Sequence, residues 1–100
     1  MVDYDFEWDA NKAASNLKKH GVTFEQAASV FLDALSLTVF DAAHSQYEER
    51  WFTLGHTAGG LPLAVAHTHQ ATGSARSRVR IISARPATKQ EQHFYAEEPR

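Results

Sequence analysis

The sequence predicts an α+β domain in which helices pack on an antiparallel sheet, in the order strand, two helices, four strands, helix. Three observations carry this. Apolar residues recur at helical spacing through the first third of the chain, the period falls to two between Leu37 and Ala84, and a helix-capping signal returns at Thr88. The alternating segments follow one another too closely for crossover links, which need about a dozen residues or more, so consecutive antiparallel pairing is favoured.

Taken in order, residues 1–6 alternate, with Val2, Tyr4 and Phe6 on one face, and form an opening strand. Asp9 caps a helix in which Ala10, Ala13, Ala14 and Leu17 follow at helical spacing, and Gly21 supplies its left-handed stop. Lys18, Lys19 and His20 crowd the last turn, where the exposed carbonyls favour positive charge. Thr23 and Gln26 make a capping box for a second helix over about residues 24–33, with Phe24, Ala27, Ala28, Phe31 and Leu32 on one face. Strands follow at 37–40, 50–55, 61–68 and 76–84, with Gly59, Gly60 and Gly73 in the turns between them. Thr88 and Glu91 form a second capping box, opening a helix that Pro99 ends.

One hundred residues, 43% hydrophobic and 22% charged, make a single domain over residues 1–100 and exclude a disordered chain. Without cysteine there is no disulfide framework, thiolate zinc site or cysteine nucleophile, which points to a reducing compartment. The longest apolar run, Leu61 to Ala66, falls far short of the ~20 residues that span a bilayer. Asp3, Asp5 and Glu7 stand where a signal peptide is basic. The expectation is a cytoplasmic protein with no membrane partner.

The net charge of −2 conceals an asymmetry. Four basic and nine acidic residues precede position 76; six basic and three acidic lie from position 76 onward. Arg76, Arg78, Arg80, Arg85 and Lys89 fall together with no acid among them, and a phosphate backbone responds to the local field rather than the total. On a strand, Arg76, Arg78 and Arg80 share one face while Val79 and Ile81 share the other. Such a face is either the solvated outside of an edge strand or a phosphate-binding surface, for which the planar, permanently charged guanidinium is suited. Glu48 and Glu49 stand beside Arg50 and are placed to orient it.

Six histidines offer proton-transfer candidates near neutral pH. His67 and His69, two apart on one strand, lack a carboxylate or third histidine at ligand spacing, so neither a metal nor another cofactor is expected. His67, at the end of an apolar strand, equally fits a structural role. Trp8 reads as an aromatic lid on the core, with base stacking as the alternative. No Ser/His/Asp order, phosphate-cradling glycine loop or H-E-x-x-H helix is present, which excludes the usual protease, nucleotide-binding and zinc-hydrolase patterns.

Three ordered blocks then resemble one family. Phe6-Glu7-Trp8-Asp9, Asn11-Lys12-Ala13, Asn16, Lys19-His20-Gly21-Val22 and Phe24-Glu25 with Ala27 are similar to the N-terminal signature of BrnT-type toxins of bacterial type II toxin-antitoxin systems. Asp41, His44-Ser45 and Glu49-Arg50 resemble its middle block, and Arg80-Ile81-Ile82-Ser83-Ala84-Arg85 with Ala87, Glu91 and Tyr95 its last. The resemblance implies a RelE-like fold and RNA cleavage that inhibits translation. It also implies a neutralising ribbon-helix-helix antitoxin, BrnA-like, in a hetero-oligomer that reaches operator DNA only through the antitoxin. The family's functional arginines carry over onto Arg85 and Arg80.

For metal-free cleavage of RNA, Arg85 and Arg80 are expected to stabilise the transition-state charge, and His20 and His67 to move protons. Lys19, Arg50, Arg76 and Arg78 are expected to bind the nucleic acid. Gln70 and Pro86 stand where the family commonly carries basic residues. The alternative reading is therefore a catalytically weak toxin-like subunit that binds an antitoxin and serves in autoregulation of the operon.

Overall fold

The computed structural model describes residues 3–98. β1 (Asp3–Glu7) leads into α1 (Ala10–His20) and α2 (Phe24–Ser29), which tightens into a 3-10 turn at Val30–Leu32. Four strands follow, β2 (Leu37–Phe40), β3 (Trp51–His56), β4 (Pro62–His67) and β5 (Gln70–Gly73), then the long β6 (Arg76–Pro86) and the helix α3 (Lys89–Glu97). The sheet runs β1-β6-β4-β3-β2, with β5 extending it beside β6. It is an α+β domain, as the periodicity predicts, and its sheet is mixed: β1 joins parallel to β6, while the remaining pairs are antiparallel.

The helix signals act as expected. Asp9 accepts the N–H groups of Asn11 and Lys12, Gly21 stops α1 at φ 69°, and both capping boxes close. One boundary and one strand differ. The α-helical part of the second helix ends at Ser29, not 33: the Ser29 hydroxyl donates to the Gln26 carbonyl at 2.7 Å and competes with the helical ladder. β5 escapes a hydrophobic-period search because all of its residues are exposed and none is large and apolar. α3 ends at Glu97; Pro99, expected to end it, lies outside the described residues, as do Met1 and Val2 of the opening strand.

Val22, Phe24, Ala27 and Val30 from the helical layer meet Leu63, Val65, Val79, Ile81 and Ala84 from the sheet in one buried cluster. Trp8 packs on Phe24 edge to face at 5.9 Å and covers this core, so the lid reading describes its position. Where β1 ends, α1 takes its place along β6. The buried Asn16 side chain accepts from the Ala84 N–H at 3.0 Å and donates to the Ala84 carbonyl at 2.8 Å and the Val22 carbonyl at 3.0 Å. An amide here supplies both halves of the missing ladder pairing.

A bulge in β6 then decides which side chains share a face. His67 pairs with Ile81 and Ala66 with Ser83, so Ile82 is the extra residue. Ser77, Val79 and Ile81 point to the core, and after the bulge Ala84 does. Arg85, paired with Ala64, therefore returns to the face of Arg76, Arg78 and Arg80, although an odd number of positions separates it from them. Among the described residues no helix is long and apolar enough to cross a membrane.

Candidate functional site

The parallel pairing of β1 with β6 sets Asp3 beside Arg76, Asp5 beside Arg78 and Glu7 beside Arg80. The acidic N-terminus thus folds directly onto the basic strand. Asp5 accepts from Arg76 Nε at 2.9 Å, and this hydrogen bond holds its carboxyl below the usual range while raising the guanidinium. Arg78 opens into a hollow it shares with Arg80, Glu7, Glu48 and Glu49. Arg76 and Arg78, read from the sequence as nucleic-acid contacts, therefore belong to a charge-balanced ladder. A polyanion approaching this stripe meets the carboxylates as well as the guanidinium groups.

A second basic surface lies on the other side of the β1 terminus, in a groove of about 390 Å³ between α1 and the bulged part of β6. Lys12, Ser15, Lys19 and His20 from α1 line one wall, and Ile82 and Ser83 the other. Among the described residues lining it there is no acid. The helix places these side chains together because positions 12, 15, 16 and 19 return to one face. Lys19 and His20, two of the sequence candidates, are thus brought together, with Asn16 locking the helix to the strand beneath them.

Lys12 connects the groove to Arg80. Arg80 Nη2 donates to Glu48 Oε1, Arg50 Nη2 lies 3.6 Å from the same oxygen, and Lys12 acts on that carboxylate from α1. The Arg80 hydrogen bond is the main reason Glu48 is held below the ordinary glutamate range. Arg85 is engaged differently. Its guanidinium forks onto Glu91 of α3 at 2.7 and 3.0 Å, raising its own pKa and bringing that of Glu91 down to about 2. Glu91 also accepts the Thr88 N–H at 2.9 Å, so one carboxylate caps α3 and ties it to β6.

His67 is not brought to this site. It is 1% exposed on the core face, opposite the face that carries Arg80 and Arg85. Nδ1 donates to the Thr68 carbonyl at 2.9 Å, because a carbonyl can only accept; Nε2 of the neutral ring then accepts the Thr53 hydroxyl at 2.7 Å, and Thr53 accepts from Thr38 at 2.9 Å. Burial, the largest cause, brings its pKa down to about 4. With both nitrogens occupied on the wrong side of the sheet, His67 takes the structural role. Among the described residues no three His, Asp or Glu side chains gather as a metal-binding group.

Against known proteins, the model of the family described as the ribonuclease toxin BrnT of type II toxin-antitoxin systems matches residues 8–91. The chain belongs to the BrnT family. Its fold is similar to the crystal structure of the Brucella abortus ribonuclease toxin BrnT, with a TM-score of 0.57 and 25% identity over 84% of this chain and 96% of that one. No curated protein matches it. The stretch shared with BrnT runs from Trp8 to Glu91 and so takes in the groove, the Glu48 cluster and the Arg85–Glu91 fork.

In this BrnT-family chain Lys12 stands out in the sequence only as part of the Asn11-Lys12-Ala13 motif, yet it lines the groove. The signal was available: Lys12 and Lys19 are two helical turns apart, with Asn16 between them on the same face. Glu48 was read as orienting Arg50, whereas its hydrogen bond goes to Arg80, thirty-two positions away. No local pattern reports that partner.

Proposed function

We propose that this chain cleaves RNA without a metal, in the groove between α1 and β6, in the cytoplasm, and thereby inhibits translation until a cognate ribbon-helix-helix antitoxin binds it. The observation that carries the reading is the groove itself: Lys12, Lys19 and His20 converge with no acid among the described lining residues, next to Arg80. Lys12 and Lys19 hold the phosphates that flank the scissile bond, and Arg80 faces the charge that develops on the phosphorus centre. The 2′-hydroxyl attacks phosphorus, loses its proton, and the departing 5′-oxygen gains one. His20 is the imidazole placed for one of these transfers. Arg85 acts from the rim, released from or shared with Glu91.

The test is cleavage of purified RNA by the isolated chain in excess EDTA, with Arg80→Ala, Lys19→Ala and His20→Ala alongside. Cleavage should survive chelation, and each variant should lose on the order of a hundredfold in rate, as removal of an aimed transition-state donor does. Cleavage that disappears with EDTA, or that persists undiminished in folded Arg80→Ala and His20→Ala, rejects the mechanism.

A specific observation favours the second reading, a weak or inactive toxin-like subunit that acts through its antitoxin. Both arginines carried over from the family are already engaged by carboxylates of the same chain, Arg80 by Glu48 and Arg85 by Glu91. Expression of the chain alone separates the two: growth arrest with RNA loss supports the nuclease, and neither, in a chain that still binds its antitoxin, supports the subunit.

A further inference from the structure

We propose that Arg80, Arg50 and Lys12 form a phosphodiester subsite, and that Glu48 is its internal occupant, which the RNA backbone displaces on binding. The inference rests on the RNA reading above and adds to it a seat and a competitor. Two guanidinium groups from separate places, the approach to β3 and β6, meet at one carboxylate, and Lys12 stands on the wall of the neighbouring groove. Arg80 donates to Glu48 Oε1, Arg50 Nη2 stands 3.6 Å away, and Lys12 acts from the groove. Two guanidinium groups that meet at one carboxylate oxygen offer the planar, permanently charged donors that a phosphodiester takes up. Arg80 and Glu48 line the hollow that also holds Glu7, Glu49 and Arg78, while Lys12 belongs to the acid-free groove beside it.

The loop that carries Glu48 is built so that its tip can leave. Its neck is closed by Asp41 N–H to the Arg50 carbonyl at 2.8 Å, by the Ser45 hydroxyl to the Asp41 carbonyl at 2.6 Å, and by Arg50 N–H to the Ser45 hydroxyl at 3.0 Å. Glu48 lies beyond these bonds, beside the almost fully exposed Tyr47, and both it and Arg80 are about two-fifths exposed. Breaking the Glu48 contacts leaves the neck bonds, and with them the Arg50 backbone, in place. A solvent-exposed ion pair is also weak enough for a phosphate with several contacts to replace it.

The probe is a short 2′-O-methyl oligoribonucleotide, whose blocked nucleophile separates binding from cleavage, followed by fluorescence anisotropy across a salt series. Glu48→Gln should bind about three- to fivefold tighter than the parent, the upper end of what exposed charge pairs reach. Its log–log salt slope should steepen by about 0.7, one extra single-strand phosphate. Glu49→Gln removes the same charge one position along and should change affinity less than about twofold. Adding Arg80→Ala to Glu48→Gln should abolish the gain. If Glu48→Gln binds equally or more weakly, Glu48 positions Arg80 and the proposal is wrong. It is equally wrong if Glu49→Gln gives the same gain. Should none of the proteins bind the oligomer, the RNA reading fails by itself, and inorganic phosphate decides the subsite. A larger thermal shift with phosphate in Glu48→Gln than in the parent and Glu49→Gln supports it, and equal shifts overturn it.

Discussion

Asn16 shows how one side chain can stand in for a strand. It is 6% exposed and meets both backbone groups of Ala84 together with the Val22 carbonyl, at the point where β1 has ended and β6 continues. Asn16→Ala leaves these groups buried without partners, and at about 1–3 kcal/mol for an orphaned buried group the variant should lose roughly 2–4 kcal/mol in urea unfolding. Asp is no substitute, since a carboxylate cannot donate to two carbonyls. His67 makes a second prediction at this scale. Its folded pKa is depressed to about 4 from 6.5, so between these values the unfolded chain binds the extra proton. Stability is therefore highest above pH 6.5 and falls as pH drops toward 4, at about 1.4 kcal/mol per unit and by on the order of 3 kcal/mol in all. Urea titrations at pH 7.5, 6 and 5 should show this slope in the parent and a flatter one in His67→Gln; equal slopes would assign the acid sensitivity elsewhere.

Among the elements, α3 is tied down by the Arg85–Glu91 fork and by Tyr95, whose hydroxyl donates to Asp33 at 2.7 Å and whose ring meets His56. Arg85 binds Glu91 with both prongs, and Glu91 in turn caps the helix, so the fork joins β6 to α3 as well as pairing charge. Arg85→Ala should cost about 1 kcal/mol at neutral pH, the upper end for a partly exposed pair, and should raise hydrogen exchange across α3 ahead of the sheet. The folded pKa of Glu91 is depressed to about 2 from 4.5, so this contribution is complete above pH 4.5 and disappears as pH falls toward 2. The parent and Arg85→Ala should therefore converge in stability over that window. If exchange in α3 does not rise, the Tyr95 contacts hold the helix without the fork. The bulge at Ile82 acts at the same scale: it alone returns Arg85 to the face of Arg80. Strict alternation places Arg85 on the opposite face, and no composition rule marks where an extra residue is accommodated.

At the scale of the whole molecule, the charge asymmetry of the chain is largely cancelled by its own topology. β1 brings Asp3, Asp5 and Glu7 alongside Arg76, Arg78 and Arg80, leaving the groove on α1 as the acid-free basic surface. Removing two of these acids with Asp5→Asn and Glu7→Gln should expose the arginine stripe. The double variant should bind unrelated single-stranded RNA several-fold more tightly at low salt, with the difference closing above about 0.3 M as screening shortens to a few ångströms. No gain at low salt would mean that the ladder leaves the arginines as open as they are in the separate strand.

The class of fold, the caps, the core faces and the family motifs were legible because they are local: a capping box spans four positions, a strand face repeats every second one, and a signature is a string. Lys19, His20 and the apolar side of β6 could therefore be placed from the sequence. What lay beyond it was every relation between distant positions. A parallel partner sixty or more residues away neutralises the basic strand, a bulge resets its alternation, and a loop carboxylate occupies the Arg80 guanidinium. His67 was legible as a residue at the end of an apolar strand, and only the register of β4 against β6 put it on the far side of the sheet from the arginines. The sequence alone determined which charges this protein carries; the tertiary structure decided which of them remain unpaired, because electrostatic interaction depends on distance in space and takes no account of separation along the chain.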